Sequence, residues 1–443
     1  MKPLKLGGLL LVFWCLSTPA NASVTVLLEE PYSYDGAFAG TGHAAVYLTH
    51  VCAASPTLLR RCRAGESGVV ISRYNRIAGY DWVAIPLLPY LYAVSKVEDI
   101  PLYADRKLVS FVRDHYRREY LEDIAPDIPS GEVPGGDWVQ LVGSSYDRTS
   151  YGFQLETTPE QDDELIEWLN TRPNTKSYKV VSRNCADFVR DIVNFYYPKA
   201  VSRGIFSDLD VATPKQIAKS FVKYSEQHRD LKFSSFVIPQ VPGSIKRSRP
   251  VHGVVESVFA AKKYVIPLAV FHPFVAGGVA SVYIVGGRFN PAKNALVFTP
   301  NGGLQQPLTA EERHSYQKNL DDLLRTVLNE KPAHEGTSWR QFQRVAQPGL
   351  DPLGRPVLQA AIAERPVSLG ISRGSFLSHE PPSELQRELL VTRLRAELRA
   401  GRAPRASNIE LSNDWELLQR VIAAPGDGIT AHAESDAGHS LVN

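Results

Sequence analysis

Cys185 is the thiol of this chain whose neighbours suit it to nucleophilic chemistry. It follows Asn184 and opens the run Cys185-Ala186-Asp187-Phe188-Val189-Arg190-Asp191-Ile192-Val193. There Phe188, Val189, Ile192 and Val193 recur at helical spacing. Asn184 belongs to the residue types that cap helix starts, so the spacing predicts a helix with Cys185 in its first turn. Unpaired N–H groups and the positive end of the helix dipole at such a place favour thiolate over thiol, and the same N–H groups can hold an oxyanion. The competing reading is a buried cysteine that serves only as a small apolar side chain. A thiol nucleophile needs an imidazole to take its proton, and the imidazole needs a third polar group to fix its tautomer and orientation. Of the eleven histidines, His43 is the best partner, because it opens a predicted strand after a Gly-rich loop. His50 is the second choice, placed on the opposite face by the pleat. His115 falls in a charged helical stretch and is read as solvated. For the orienting group Asn75, ending an apolar run, comes first, with Tyr74 and Ser72 behind it.

These side chains must be carried by a chain of 443 residues, 44% hydrophobic and 22% charged, which is enough apolar surface for two or more domains. A net charge of +2 offers no case for nucleic-acid binding. The basic start Met1-Lys2-Pro3-Leu4-Lys5, the apolar stretch 6–17 and Ala20-Asn21-Ala22 read as a secretory signal peptide over 1–22, cleaved after Ala22. Cys15 leaves with it. Cys52 and Cys62 flank a polar segment that a disulfide can close in an oxidising compartment, and Cys185 is then the odd thiol.

Strands are expected at 24–28, 42–50, 68–75, 82–88, 139–142 and 150–155, and a helix over 105–122. Thr158-Pro159-Glu160-Gln161 and Thr213-Pro214-Lys215-Gln216 both carry helix-start signals: a hydroxyl cap, Pro at the first helical position and Gln three residues after the cap. Residues 23–235 thus form one α+β domain holding both His43 and Cys185. A Pro-, Ser- and Arg-containing linker is expected at 236–256. The segment 257–290 contains 264–285, which lacks Asp, Glu, Lys and Arg and is flanked by Lys262, Lys263 and Arg288. Its length suits a bilayer span, whereas Pro267, His272, Pro273 and Gly277-Gly278 favour an interfacial hairpin or a buried strand pair. A mixed α/β region of undefined role follows at 291–424, with helices over 309–330, 384–400 and 413–423 and strands joined by turns over 354–376. A disordered tail is expected at 425–443.

Gly42-His43-Ala44-Ala45-Val46-Tyr47-Leu48 resembles the histidine strand of the circularly permuted papain-like enzymes, and Arg183-Asn184-Cys185-Ala186-Asp187-Phe188-Val189 is similar to their nucleophile helix. That superfamily includes NlpC-type cell-wall peptidases and the lecithin-retinol acyltransferase group. The Gly-His strand, the Tyr74-Asn75 pair and Tyr178 ahead of Asn184-Cys185 further resemble the periplasmic domain of bacterial lipoprotein intramolecular transacylases and their uncharacterised relatives. The acyltransferase group usually carries a second ring residue on the strand after the first histidine, and here that place falls to Asn75 or Tyr74. The resemblance implies an antiparallel sheet packed on a nucleophile helix and acyl transfer through a thioester. Cys185 attacks, His43 carries the proton, Asn75 orients His43, and the Cys185 N–H with the Asn184 side chain supports the oxyanion. Together with the signal peptide it implies an exported protein of the periplasm or cell envelope and a substrate that is an acyl lipid, a lipoprotein or peptidoglycan, while the apolar segment 264–285 adds an expected contact with a membrane surface. Three readings stay open: a cysteine acyltransferase or hydrolase on an acyl lipid or acylated protein, a peptidoglycan amidase or peptidase, and a non-catalytic envelope binding or scaffold protein. No metal-ligand spacing, phosphate loop or other cofactor motif occurs, so neither a metal nor a cofactor is expected.

Overall fold

A computed structural model describes residues 22–32, 41–75, 77–134, 137–204, 208, 211–254, 289–301, 303–329, 339–362, 364–376 and 384–399, with scattered positions between 256 and 281. The signal peptide, the helix over 413–423 and the tail lie outside the described residues. The protein is a mixed α+β structure built on a largely antiparallel sheet. Strands β1 (Ser23–Glu29), β2 (His43–Leu48), β5 (Val69–Ser72), β6 (Val83–Pro86), β7 (Ser150–Glu156), β8 (Ser234–Ile238), β9 (Leu296–Thr299) and β10 (Gly303–Gln305) stand in the order β10-β9-β8-β7-β1-β2-β5-β6. Only β8 and β9 run parallel. Strands β3 (Val51–Ser55) and β4 (Leu58–Arg61) form a separate hairpin, closed by the Cys52–Cys62 disulfide.

Every residue of β1 is buried, as expected for a central strand covered on both faces. Val24, Val26 and Leu28, with Ala44, Val46 and Leu48 of β2, form one core with helices α4 (Pro159–Asn170), α5 (Cys185–Tyr196) and α6 (Pro214–Gln227). Leu27, Ala45 and Val70 point the other way, towards α1 (Leu87–Tyr92) and α2 (Arg106–Tyr120). All three helix starts on the first face use side-chain caps. Thr158 and Thr213 accept the N–H of Gln161 and Gln216, with Pro next in each, and Asn184 forms a reciprocal capping box with Asp187.

Two expectations are corrected. Residues 236–256 are not a free linker. Ser234–Ile238 inserts into the sheet beside β7, and the buried Gln240 donates to the carbonyls of Tyr146 and Lys246. The described residues of 291–424 also pack onto the main fold. Strands β9 and β10 extend the main sheet, while Phe342, Leu358, Leu369, Leu389 and Leu394 share the core of Leu108 and Val112. Finally, 139–142 is no strand. It belongs to a 3-10 turn (Asp137–Gln140) and the approach to α3 (Ser144–Asp147), because its apolar residues fill that second core rather than line a ladder. The turn-linked strands expected over 354–376 do form, as part of a three-stranded sheet of Gln347–Leu350, Pro356–Ile362 and Arg365–Gly370. No helix among the described residues is long and apolar enough to cross a membrane.

Candidate active site

Cys185 is the first residue of α5, as its sequence context predicts, with Phe188, Val189, Ile192 and Val193 buried beneath it. Asn184 ties the helix start down completely. Its Oδ1 accepts the Asp187 N–H at 3.0 Å, and its Nδ2 donates to the carbonyls of Val180 and Ala212 at 2.9 and 3.0 Å. Both amide protons are spent on backbone, so the Asn184 side chain positions the helix and offers nothing to an oxyanion. From below, Arg73 Nη1 donates to the Asn184 carbonyl at 3.2 Å while its other nitrogens grip Asp81, so a buried ion pair holds the helix entry against the end of β5.

The sulfur sits where backbone N–H groups of Ala44, Ala186 and Cys185 itself converge. Ala44 lies beyond the paired part of the β2–β5 ladder, which begins at Val46↔Ile71. Strand β2 starts at a glycine for a steric reason. Gly42 has φ +70°, and a Cβ there would fall 2.1 Å from the Glu29 carbonyl oxygen, so only glycine can deliver His43 to this point.

His43 is 8% exposed and directly opposes Glu29 across β1. Its ring stacks on Tyr74 at a centroid separation of 5.0 Å, and its Nε2 lies 3.0 Å from Ser72 Oγ. Ser72 has already given its single proton to the Ala44 carbonyl at 2.7 Å. It must therefore accept at Nε2, so His43 carries its proton on Nε2 and leaves Nδ1 as the basic atom. Ser72 thus takes the orienting place expected of Asn75. The pleat explains the exchange: Ser72 and Tyr74 share one face of the strand and its extension, while Asn75, on the other parity, projects into solvent. The same alternation turns the His43 side chain to the face opposite α5. No hydrogen bond joins ring to sulfur in this structure; the two approach the unpaired start of β2 from opposite sides. His50 lies past the far end of β2, close enough to Asp162 of α4 for its charge to bear on that carboxyl.

Protonation follows burial. Desolvation pushes the Cys185 thiol above its usual value, the converging N–H groups oppose the rise, and the Glu29 charge adds to it. Burial first, and then the Arg148 charge, lower His43 to about 3. The thiolate expected at the helix start is therefore overruled. The resting pair is a neutral thiol and a neutral imidazole.

Sequence reasoning missed the polar cluster beneath the ring. Glu29, 1% exposed, meets Arg148 Nη1 at 3.2 Å and accepts the Tyr90 hydroxyl at 2.5 Å. Tyr74 is hydrogen-bonded to Tyr90. A carboxylate ending an apolar run was the available signal, since Glu29 continues the β1 ladder. Near the sulfur, the Tyr178 hydroxyl faces the Cys185 N–H. Among the described residues, Cys52, Cys62 and Glu66 are close enough together to hold a metal, but those two sulfurs are joined to each other.

Compared with known proteins, the chain matches no family model, no curated protein and no solved structure. Its chemistry has to be argued from the site itself.

Replacing Ser72 by Ala should leave the Nε2–H buried without an acceptor, at a cost of about 1–3 kcal/mol. If the tautomer matters to turnover, kcat should fall about 10- to 100-fold with KM little changed. A Ser72→Thr variant, which restores the hydroxyl, should recover most of it. Equal losses in Ser72→Ala and Ser72→Thr would rule out the tautomer role.

Proposed function

We propose that the protein is a cell-envelope thiol acyltransferase or hydrolase of permuted papain-like type, acting on an acyl lipid or acylated protein. The observation that carries this reading is the sulfur of Cys185 at a helix start, within a convergence of backbone N–H groups. The disulfide of the β3–β4 hairpin supports an oxidising compartment.

His43 Nδ1 takes the thiol proton as the sulfur attacks the acyl carbonyl, and the N–H groups of Cys185 and Ala186 receive the oxyanion. The imidazolium then returns the proton to the leaving alcohol or amine, leaving a thioester on Cys185. An amine or water attacks the thioester and gives its proton to His43, and the thiol is restored. Ring and thiol share no hydrogen bond in the resting structure, so the mechanism requires the start of β2, unpaired with β5 before Val46, to turn on substrate binding until Nδ1 reaches the sulfur. Catalytic contacts commonly tighten only with substrate in place.

The test is intact mass after acid quenching of a reaction with an activated dodecanoyl ester. One dodecanoyl increment is expected, released by neutral hydroxylamine and mapped to the Cys185 peptide. A chain that turns the ester over with no adduct at Cys185 would refute the proposal. Release to water or to an added amine separates hydrolase from transferase.

A further inference from the structure

Every described residue between 267 and 281 is exposed, Phe274 by 94% and Phe271 by 74%, with Val270 and Val275 beside them. Two largely bare phenyl rings three positions apart, with a valine beside each, form a concentrated apolar patch, unlike the scattered apolar side chains that any surface shows. The surrounding sequence indicates what covers it. From 264 to 285 there is no Asp, Glu, Lys or Arg, and cations stand at both edges as Lys262, Lys263 and Arg288. An apolar layer bordered by anionic headgroups matches them.

The location fits as well. His252 and Glu256, just before this segment, and Phe289 and Asn290, just after it, line a cavity of about 520 Å³ together with Leu28 and Lys215. Leu28 is the cross-strand partner of Ala44, whose N–H meets the Cys185 sulfur. The segment therefore leaves and re-enters the fold at the end of the sheet that holds the candidate active site. The helical run breaks at His272, directly before Pro273, which suits shallow seating better than a straight span.

We propose that the Phe271–Phe274 patch seats in the surface of an anionic lipid bilayer, holding the Cys185 end of the sheet against the membrane. This inference does not rest on the thiol chemistry, and Cys185→Ala should bind lipid as the wild type does.

The experiment is co-sedimentation of the full chain with vesicles of equal parts phosphatidylglycerol and phosphatidylcholine, and with phosphatidylcholine alone. The wild type should pellet with the mixed vesicles and bind the neutral ones at least tenfold more weakly. Phe271→Asp/Phe274→Asp should lose at least tenfold in partitioning to the mixed vesicles, whereas Phe271→Leu/Phe274→Leu should retain it. All chains share one N-terminus, so the difference reports on the patch. A matching far-UV spectrum and thermal midpoint show that the Asp variant is folded. Equal partitioning of the Asp variant and the wild type would overturn the proposal. So would a wild-type chain that ignores the vesicles and instead forms a concentration-dependent dimer that the Asp variant abolishes.

Discussion

Cys185→Ala should lower acyl transfer by roughly 10^4- to 10^6-fold, the scale seen when a covalent nucleophile is removed, while the fold is kept because alanine suits the helix start and leaves only a sulfur-sized gap in the core. The more discriminating result concerns pH. Burial raises the thiol and depresses His43 to about 3, so the proton resides on sulfur throughout the neutral range. Only the thiolate reacts with an alkylating agent. Iodoacetamide modification, followed on the Cys185 peptide, should therefore be slow at pH 7 and climb by about tenfold per pH unit up to pH 9, with no plateau in that interval. A thiolate–imidazolium pair would behave differently, holding a flat rate from about pH 5 upward. Such a plateau would show that the resting site is ionised and that burial does not govern it. A neutral pair also places the whole proton transfer in the attack step, which is why the Nε2 tautomer fixed by Ser72 should matter to turnover.

What could be read in the sequence is what local chemistry determines. Asn184, Thr158 and Thr213 announce their helices because a cap is a contact over three residues, and the stripe Phe188, Val189, Ile192, Val193 sets which side of α5 goes inward. The Cys52–Cys62 bridge closes a short loop and was equally visible. Features fixed by pairing between distant strands were not legible. Choosing Ser72 over Asn75 required knowing that Val46 stands opposite Ile71, since a shift of one residue exchanges the faces of the strand. The same parity hides the fact that His43 and α5 lie on different faces. Ser234–Ile238 looked like the edge of a linker because its parallel neighbour, Leu296–Thr299, comes almost sixty residues later. Glu29 reads as an ordinary strand-end acid until Arg148 and Tyr90, both far away in sequence, close over it.

That buried acid leads to the second large effect. Arg148→Met keeps much of the apolar volume but leaves the Glu29 carboxylate, 1% exposed, without its cation. Breaking one side of a buried pair costs about 3–5 kcal/mol, which urea denaturation at pH 7.5 should register as a lower midpoint with an unchanged slope. The sign of the pH dependence identifies the cause. Burial already holds Glu29 above its ordinary value of 4.5, against the opposing pull of Arg148 and Tyr90, so losing Arg148 raises it further. An acid whose folded pKa exceeds its unfolded one contributes stability that is complete below the unfolded value and lost as pH rises through the folded value. The gap between variant and wild type should therefore be widest at neutral pH and narrow as pH falls towards 4.5, where a protonated Glu29 needs no partner. A loss of equal size at pH 4.5 and 7.5 would trace the damage to packing, including the stacking of Arg148 over Tyr32, and not to charge. Glu29→Gln placed on Arg148→Met should return part of the stability, because the uncompensated carboxylate is then gone. The His43 ring offers an independent readout. Arg148 is the second cause of its depression after burial, so in Arg148→Met the imidazole should titrate above about 3 yet stay below its ordinary 6.5.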